Sequence, residues 1–447
     1  LPVFMKKLIR KFIGNQNPFL LFYHKVKAMM AVLRYGNSSK KMVVIGVTGT
    51  DGKTTTTNII ADMLQKSGKK VGLMSTLRYR VGDKVWANTE KMTTNSPFKI
   101  QKMLKSMRKA GCEYVVMEVS SHAVVQSRIW GINFDVAVFT NLTADHIEYH
   151  GSHEAYMAAK GAFFDSLFSM RRKLFKGKRL PKIMVLNEDD KYFDYFNSFE
   201  ADQKITYGLQ KGQFKALNLE LSPSGAEFDL KVPNGKVHIS TNLLGDYNVS
   251  NVLAALAVGV SLGISAEDLS GVFKEVLPVP GRLEPINMGQ DFFVVVDYAH
   301  TEFSLEKVCQ IFKNMSPGKL ILVFGATGGG RDKKKRPVMG KVADYYADLI
   351  VLTNDDPYHE DQEKIIEDIA RGIKRKEGEN LYKIVDREVA VEFALSKAEK
   401  GDTVLITGKG GEEVIVIGDE KIPYDDRVVV RNYLAEKEFG DLKIEDE

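Results

Sequence analysis

Cysteine is nearly absent. Cys112 and Cys309 are the only two in 447 residues, far apart and outside any CxxC spacing. That excludes a disulfide scaffold and a cysteine-ligated zinc site, and it suits a reducing cytosol. Long apolar runs are missing too. The most apolar early segment, residues 18–35, is interrupted by His24, Lys25, Lys27 and Arg34, so no membrane-spanning helix is expected. Nor is there a large excess of one charge: 63 basic against 58 acidic side chains leave a net +5. With no aromatic–basic repeat suited to stacking bases, a nucleic-acid partner is not expected. Composition is otherwise that of a globular protein, and the length allows two or three domains.

What is present centres on Val43-Val-Ile-Gly-Val-Thr-Gly-Thr-Asp-Gly-Lys-Thr-Thr-Thr56. An apolar run reads as a buried parallel strand, a Gly/Thr/Asp loop follows, and residues 54–67 carry a helical pattern closed by Gly68. Strand, glycine loop and helix in that order aim backbone N–H groups and the positive helix end at a phosphate. Gly49, Thr50, Asp51, Gly52 and Thr55 would line such a site. Lys53 would reach the terminal phosphates and the Thr54 hydroxyl would ligate Mg²⁺. The strict loop pattern wants glycine at position 47, where this chain has valine. The stretch reads as a nucleoside triphosphate site.

Further strands are expected at 70–76, 112–119 and 134–139, and a helix between Ser96-Pro97 and Gly111. Alternation of this kind implies a doubly wound α/β sheet, whose ligands sit beyond the carboxyl ends of the strands. Residues 170–178 read as a solvated basic run. Short strands are expected over 205–241, then helices near 246–262 and 265–276. Pro and Gly punctuate 276–282, and βα alternation restarts with strands near 292, 320, 349, 382 and 403. The expected division is a basic amphipathic arm (1–41), a central ATP-binding domain (42–280) and a Rossmann-like domain (281–447). The arm is either packed on the body or a membrane-surface anchor; it has no small-residue cleavage site of a signal peptide.

Several polar groups fall at strand ends. Glu118 closes a buried strand, where a carboxylate is expected to be paired or ligating. His122, His146, His150 and His153 lie within about thirty residues but lack zinc-motif spacing, so His146 is read as a lone Mg²⁺ ligand. Asp297-Tyr-Ala-His-Thr301, the glycine-rich Gly325–Asp332 with Arg331, Asn354-Asp-Asp-Pro-Tyr358 and Gly408-Lys-Gly-Gly-Glu412 form a second polar rim.

Taken together, Thr48-Gly-Thr-Asp-Gly-Lys-Thr54, Met117-Glu-Val-Ser-Ser-His122, Thr140-Asn-Leu-x-x-Asp-His146, Asn248-x-x-Asn251, Asp297-Tyr-Ala-His-Thr301 and Gly408-Lys-Gly410 resemble the Mur ligases. The similarity is greatest to their UDP-N-acetylmuramoyl-tripeptide synthetase (MurE) branch and runs from about residue 42 to 435. It implies an ATP-dependent amide ligase that forms an acyl phosphate and then joins it to an amine. By motif, the resemblance implies that Lys53 and Thr54 hold phosphate and metal, and that Glu118 and His146 ligate Mg²⁺, with two ions in all. Asn251, Arg282 and Asp297 would meet adenine, phosphate and ribose. Lys160 matches the family's carbamylated lysine, a CO₂ adduct that ligates Mg²⁺. Thr93, Thr94, Ser120, Gln126 and Arg128 match positions holding the acceptor's carboxylates. Arg331, Asp355, Asp356, Tyr358, Gly408 and Glu412 match positions that receive the incoming amino acid.

Three departures bear on substrates. A short basic arm stands where the family carries a uridine-nucleotide domain. Position 358 is tyrosine where the diaminopimelate-adding enzymes have arginine, and position 411 is glycine where the family has histidine. With Asp356 and Glu412 available, lysine or another diamino acid is the expected addition to a muramyl-dipeptide-like acceptor. The alternatives are a Mur-like ligase for a cyanophycin- or polyglutamate-type product, or a non-catalytic ATP-binding scaffold. A cytoplasmic monomer is expected, its partners being an acceptor and an amino acid, with peripheral membrane contact through residues 1–41 left open.

Overall fold

The computed structural model describes residues 17–90, 92–143, 147–222, 224–232, 235–330 and 333–441. The chain divides into two compact units, Leu1–Leu277 and Pro278–Glu447.

The first unit is built on β1 (Val43–Thr48), every residue of which is buried. Continuous apolar sequence is what a strand covered on both faces requires. β1 lies between β5 (Tyr114–Glu118) and β6 (Val136–Phe139), all parallel. Beyond β5 comes β2 (Val71–Met74), and beyond β6 come β9 (Ile183–Asn187) and β10 (Gln203–Gly208), again parallel. Val43, Ile45 and Val47 face one core with Ile59, Ile60 and Leu64 of helix Lys53–Lys66 and Val252 to Leu256 of helix Asp246–Ser261. Val44 faces the other, with Leu104 of helix Pro97–Lys109 and Phe163 and Phe164 of helix His153–Ser169. Helices thus cover both faces of a doubly wound sheet.

Further strands extend this sheet at both edges. On one side β3 (Arg78–Val81) and β4 (Lys84–Ala87) form an antiparallel hairpin. Its Gly82-Asp83 turn between alternating residues is a hairpin signal that the expected strand list above lacks. On the other side β11 (Phe214–Ser222), parallel to β10, and then the antiparallel β12 (Gly225–Val232) and β13 (Gly235–Thr241) continue it, giving eleven strands. The strands expected over 205–241 therefore belong to the main sheet.

The basic run 170–178 requires a correction. Leu174–Phe175 (β7) and Lys178–Arg179 (β8) form a small hairpin, and Lys173 is buried rather than solvated. Its Nζ lies 2.5 Å from Asp135 Oδ2 and donates to the Met42 carbonyl at 2.8 Å. Asp135 sits buried just before β6, and a buried carboxylate needs a counter-charge. Lys182 Nζ supplies a second one at 3.5 Å.

The second unit has a six-stranded sheet. Its order is β14 (Glu284–Ile286), β15 (Phe293–Asp297), β19 (Thr403–Thr407), β16 (Leu320–Phe324), β17 (Leu349–Leu352) and β18 (Leu381–Lys383). All neighbours are parallel except β14 with β15. A separate hairpin, β20 (Val414–Ile417) and β21 (Glu420–Pro423), follows.

Candidate functional site

The first unit's polar groups collect at the carboxyl ends of β1, β5 and β6. The loop after β1 turns at Gly49 (φ +154°) and Gly52 (φ +78°), and helix 53–66 starts at Lys53. A Cβ on Gly49 would fall 1.8 Å from Thr140 Oγ1, so only glycine fits. Val47 belongs to the strand, which explains why no glycine is needed there. The segment after β6 braces the loop: Asn141 O accepts from Thr50 N at 2.9 Å, Asn141 Oδ1 from Asp51 N at 2.8 Å, and Thr140 Oγ1 donates to Asp51 O at 2.6 Å. Lys53 Nζ donates to the carbonyls of Gly49 (3.0 Å) and Thr50 (2.5 Å). Lys160 is buried and donates to the same Gly49 carbonyl at 2.6 Å, its Nζ 4.5 Å from the Tyr156 ring centre. Both sequence-identified lysines therefore sit on the phosphate loop. Thr55 is buried in the first turn of the helix.

Glu118 ends β5 and is 1 % exposed. Its oxygens accept from Thr54 Oγ1 (3.0 Å), Thr76 Oγ1 (3.0 Å) and Thr76 N (2.6 Å). Burial pushes its carboxyl above the ordinary range, opposed by the Thr76 N–H, the Lys53 charge and both hydroxyls. A divalent cation fits this donor set, a carboxylate and a hydroxyl beside a phosphate loop. Among the described residues no three His, Cys, Asp or Glu side chains gather to hold a metal. His146 lies outside the described residues. Asn251, on helix 246–261, accepts from Thr56 Oγ1 at 2.8 Å and donates to Asn248 at 3.0 Å, placing it against the start of the phosphate-loop helix.

A second group follows directly from β5. Thr94 Oγ1 donates to the Glu118 carbonyl and accepts from Ser120 N, both at 3.0 Å. Arg128 Nη1 donates to the Thr94 carbonyl at 2.7 Å, and its Nε and Nη2 reach Gln126 Oε1 at 2.9 and 2.6 Å. Gln126 Nε2 in turn donates to Tyr149 OH at 2.8 Å. Thr93 is half-buried beside Thr94. Four of the five acceptor candidates are thus hydrogen-bonded together, with Thr93 adjoining. Thr76 and Tyr149 were not singled out from the sequence. Thr76 could have been, since it follows β2 at the same sheet edge.

In the second unit Asp297 closes β15 and accepts from Leu283 N and Ala299 N, each at 2.8 Å. Burial raises its pKa, opposed by the Arg282 charge and the backbone donors. The Arg282 guanidinium lies 4.2 Å from the Tyr298 ring centre. Asp355 and Asp356 are buried after β17. Lys409, which the sequence reading passed over, puts its Nζ 2.8 Å from Asp356 Oδ1, 2.7 Å from Glu412 Oε2 and 3.7 Å from Asp355 Oδ1. Burial works against its charge, but the three carboxylates more than offset that and hold the ammonium above its usual range. Asp356 and Glu412, expected to be available, are already bonded by the chain's own ammonium.

Gly408 takes φ +110°, with a Cβ position 3.2 Å from Asp355 Oδ2. Tyr358 (φ +51°) is fixed through its backbone to Val416 and Gly418, and its ring lies over Gly329. Arg331 lies outside the described residues. Beneath these loops the buried Arg387 donates to the carbonyls of Asn354 and Thr407 at 2.8 Å and pairs with Asp426. Nothing in the local sequence marks this strut, because its partners are far apart along the chain.

A phosphate loop on a doubly wound parallel sheet places the first unit among the P-loop nucleotide-binding proteins. Comparison with known proteins goes further. The description of the Mur ligase middle domain matches residues 47–259, and that of the Mur ligase glutamate ligase domain matches 281–410. A UDP-N-acetylmuramoyl-L-alanyl-D-glutamate–2,6-diaminopimelate ligase of Geobacillus kaustophilus is 41 % identical over 414 residues, 92 % of this chain and 83 % of that protein. A solved structure of a ligase of the same name is similar at 31 % identity and TM-score 0.64, over 93 % of this chain and 82 % of that one. Folylpolyglutamate synthase of Mycobacterium tuberculosis, 17 % identical with TM-score 0.67 over 86 % of this chain and 91 % of its own, shares the fold. The chain belongs to the Mur ligase family and is an ATP-dependent ligase.

Proposed function

We propose that the chain joins the amino group of a diamino acid to a carboxylate of a muramyl-dipeptide-like acceptor through an acyl phosphate. The Thr94 hydroxyl carries this reading. By bonding Glu118 O and Ser120 N it ties the cation-binding carboxylate to the group that grips an acid. Residues 42–280 would hold the acceptor and, through the phosphate loop, the triphosphate, and residues 281–447 the amino acid, with Arg282 and Asp297 kept for the nucleotide.

Lys53 and the helix start above it bind the triphosphate, and the phosphate loop fixes its orientation. Arg128, held flat by Gln126, is assigned to the acceptor carboxylates together with Thr93, Thr94 and Ser120. A carboxylate oxygen attacks the γ-phosphorus and ADP leaves. The amine nitrogen then attacks the acyl carbon, inorganic phosphate leaves, and the amine proton is lost. Thr54, Glu118, His146 and a Lys160 carbamate would hold magnesium, which would neutralise the gathered negative charge. A carbamate on Nζ keeps one N–H, so the Lys160 contact with Gly49 O can persist. Asn251, Arg282 and Asp297 are assigned to adenine, phosphate and ribose.

For the amino acid, Tyr358 offers no cation to a distal carboxylate, which favours lysine over the diaminopimelate named in the relatives. Asp355, Asp356 and Glu412, gathered around Lys409, put acidic side chains where the resemblance places the incoming amino acid. The test is ADP release in the presence of UDP-muramyl dipeptide, with lysine and diaminopimelate supplied separately and the product weighed. Release that needs both acceptor and amino acid supports the reading, and release indifferent to the amino acid overturns it. Carbon-13 NMR with labelled bicarbonate should show a carbamate resonance absent from Lys160→Arg.

A further inference from the structure

Helix Pro18–Tyr35 is inverted relative to an ordinary surface helix. Ala28 and Ala31 are fully buried, while Phe19 and Leu33 are each 84 % exposed. At 100° per residue the exposed Phe19, Phe22, Tyr23, Met29, Met30 and Leu33 fall on one stripe, opposite the two alanines. Lys25 flanks one border of that stripe, and Lys27 and Arg34 the other. The small residues let the helix lie close on helix 97–109, where Tyr35 packs edge-on against Phe98 with ring centres 6.4 Å apart. A soluble surface has no reason to present so many large apolar side chains together.

The charge around this face has one sign. The sequence contains no Asp or Glu before Asp51, and the same stretch carries Lys25, Lys27, Arg34, Lys40 and Lys41 within its described part. Helix 97–109 adds Lys102, Lys105, Arg108 and Lys109 and carries no acid, its Lys99 being paired with Glu90 at 2.5 Å. An apolar stripe flanked by cations and free of carboxylates complements an anionic lipid surface: side chains enter the acyl boundary and the lysines and arginine meet phosphate headgroups. No helix among the described residues is long and apolar enough to span a bilayer, so the contact lies in the interface plane.

We propose that the exposed face of helix 18–35 docks the protein peripherally on an anionic membrane, a property independent of the ligase chemistry. The experiment uses the full chain with vesicles of phosphatidylglycerol and phosphatidylcholine, and with vesicles of phosphatidylcholine alone. Sedimentation with the anionic vesicles is expected, weakened when salt rises from about 0.1 to about 0.5 M. Phe22→Asp combined with Leu33→Asp should lower the partition about ten-fold or more. Both positions are exposed, so circular dichroism and ATP binding should stay unchanged. Absence of vesicle binding, equal binding to neutral vesicles, or binding unaffected by the double substitution overturns the proposal. So does a wild-type dimer that the double variant converts to a monomer without any vesicle binding, which would make the face a self-association surface.

Discussion

The Nζ of Lys409 lies 2.8 Å from Asp356 Oδ1 in a side chain with no solvent exposure. With Glu412 at 2.7 Å, this ammonium compensates the buried Asp356 and the half-buried Glu412 on two separate loops and holds those loops together. Removing one partner of a buried ionic set leaves the others without compensation. Lys409→Met is therefore expected to destabilise the second unit by about 3 kcal/mol, read as a lower urea midpoint, with Lys409→Arg recovering part of the loss. An unchanged midpoint in the methionine variant would contradict this.

Glu118 accepts from Thr54 and Thr76 while buried, so its oxygens are held in place before any cation arrives, although burial raises its pKa. Glu118→Gln keeps the shape and removes the carboxylate. ADP release should fall about 100-fold, and Mn²⁺ binding in the presence of ATP, followed by electron paramagnetic resonance, should weaken. Full manganese affinity in the variant would remove Glu118 from the metal site.

Arg128 uses three of its nitrogens on Gln126 and Thr94, a planar fork that lysine cannot reproduce. Arg128→Lys should raise the KM for the acceptor about ten-fold while leaving the KM for ATP unchanged. Equal changes in both would point to general disruption.

Lys173 is expected to titrate low. Burial drives its pKa down from its ordinary 10.5 to about 8, partly opposed by Asp135. Between those values the unfolded chain binds the proton and the folded chain does not, so Lys173's contribution to stability rises with pH across that window. The whole effect is at most about 3 kcal/mol. The urea midpoint of the wild type should gain on that of Lys173→Met as pH climbs from 8 to about 10. A constant difference would show that the amine keeps its ordinary pKa.

The phosphate loop and the parallel strands were readable along the chain because each is a local signal. A buried strand is continuously apolar, a helix start carries its cap, and a tight loop needs glycine. The edge hairpin of β3 and β4 was equally local, in its Gly82-Asp83 turn. The Mur ligase resemblance rested on motifs of this kind and was shown by the family comparison.

What the order of residues left undecided were pairings between distant segments. The distance along the chain from Lys173 to Asp135, from Lys409 to Asp356 or from Arg387 to Asp426 carries no pattern, so a lysine in a basic run reads as solvated until the fold buries it. The outward face of helix 18–35 had the same ambiguity, since its apolar residues suit a core as well as a surface. Sequence set which elements form and which chemistry they bear. Tertiary packing set which charges meet, because only closure of the sheet and its helices removes water from between them and makes pairing obligatory.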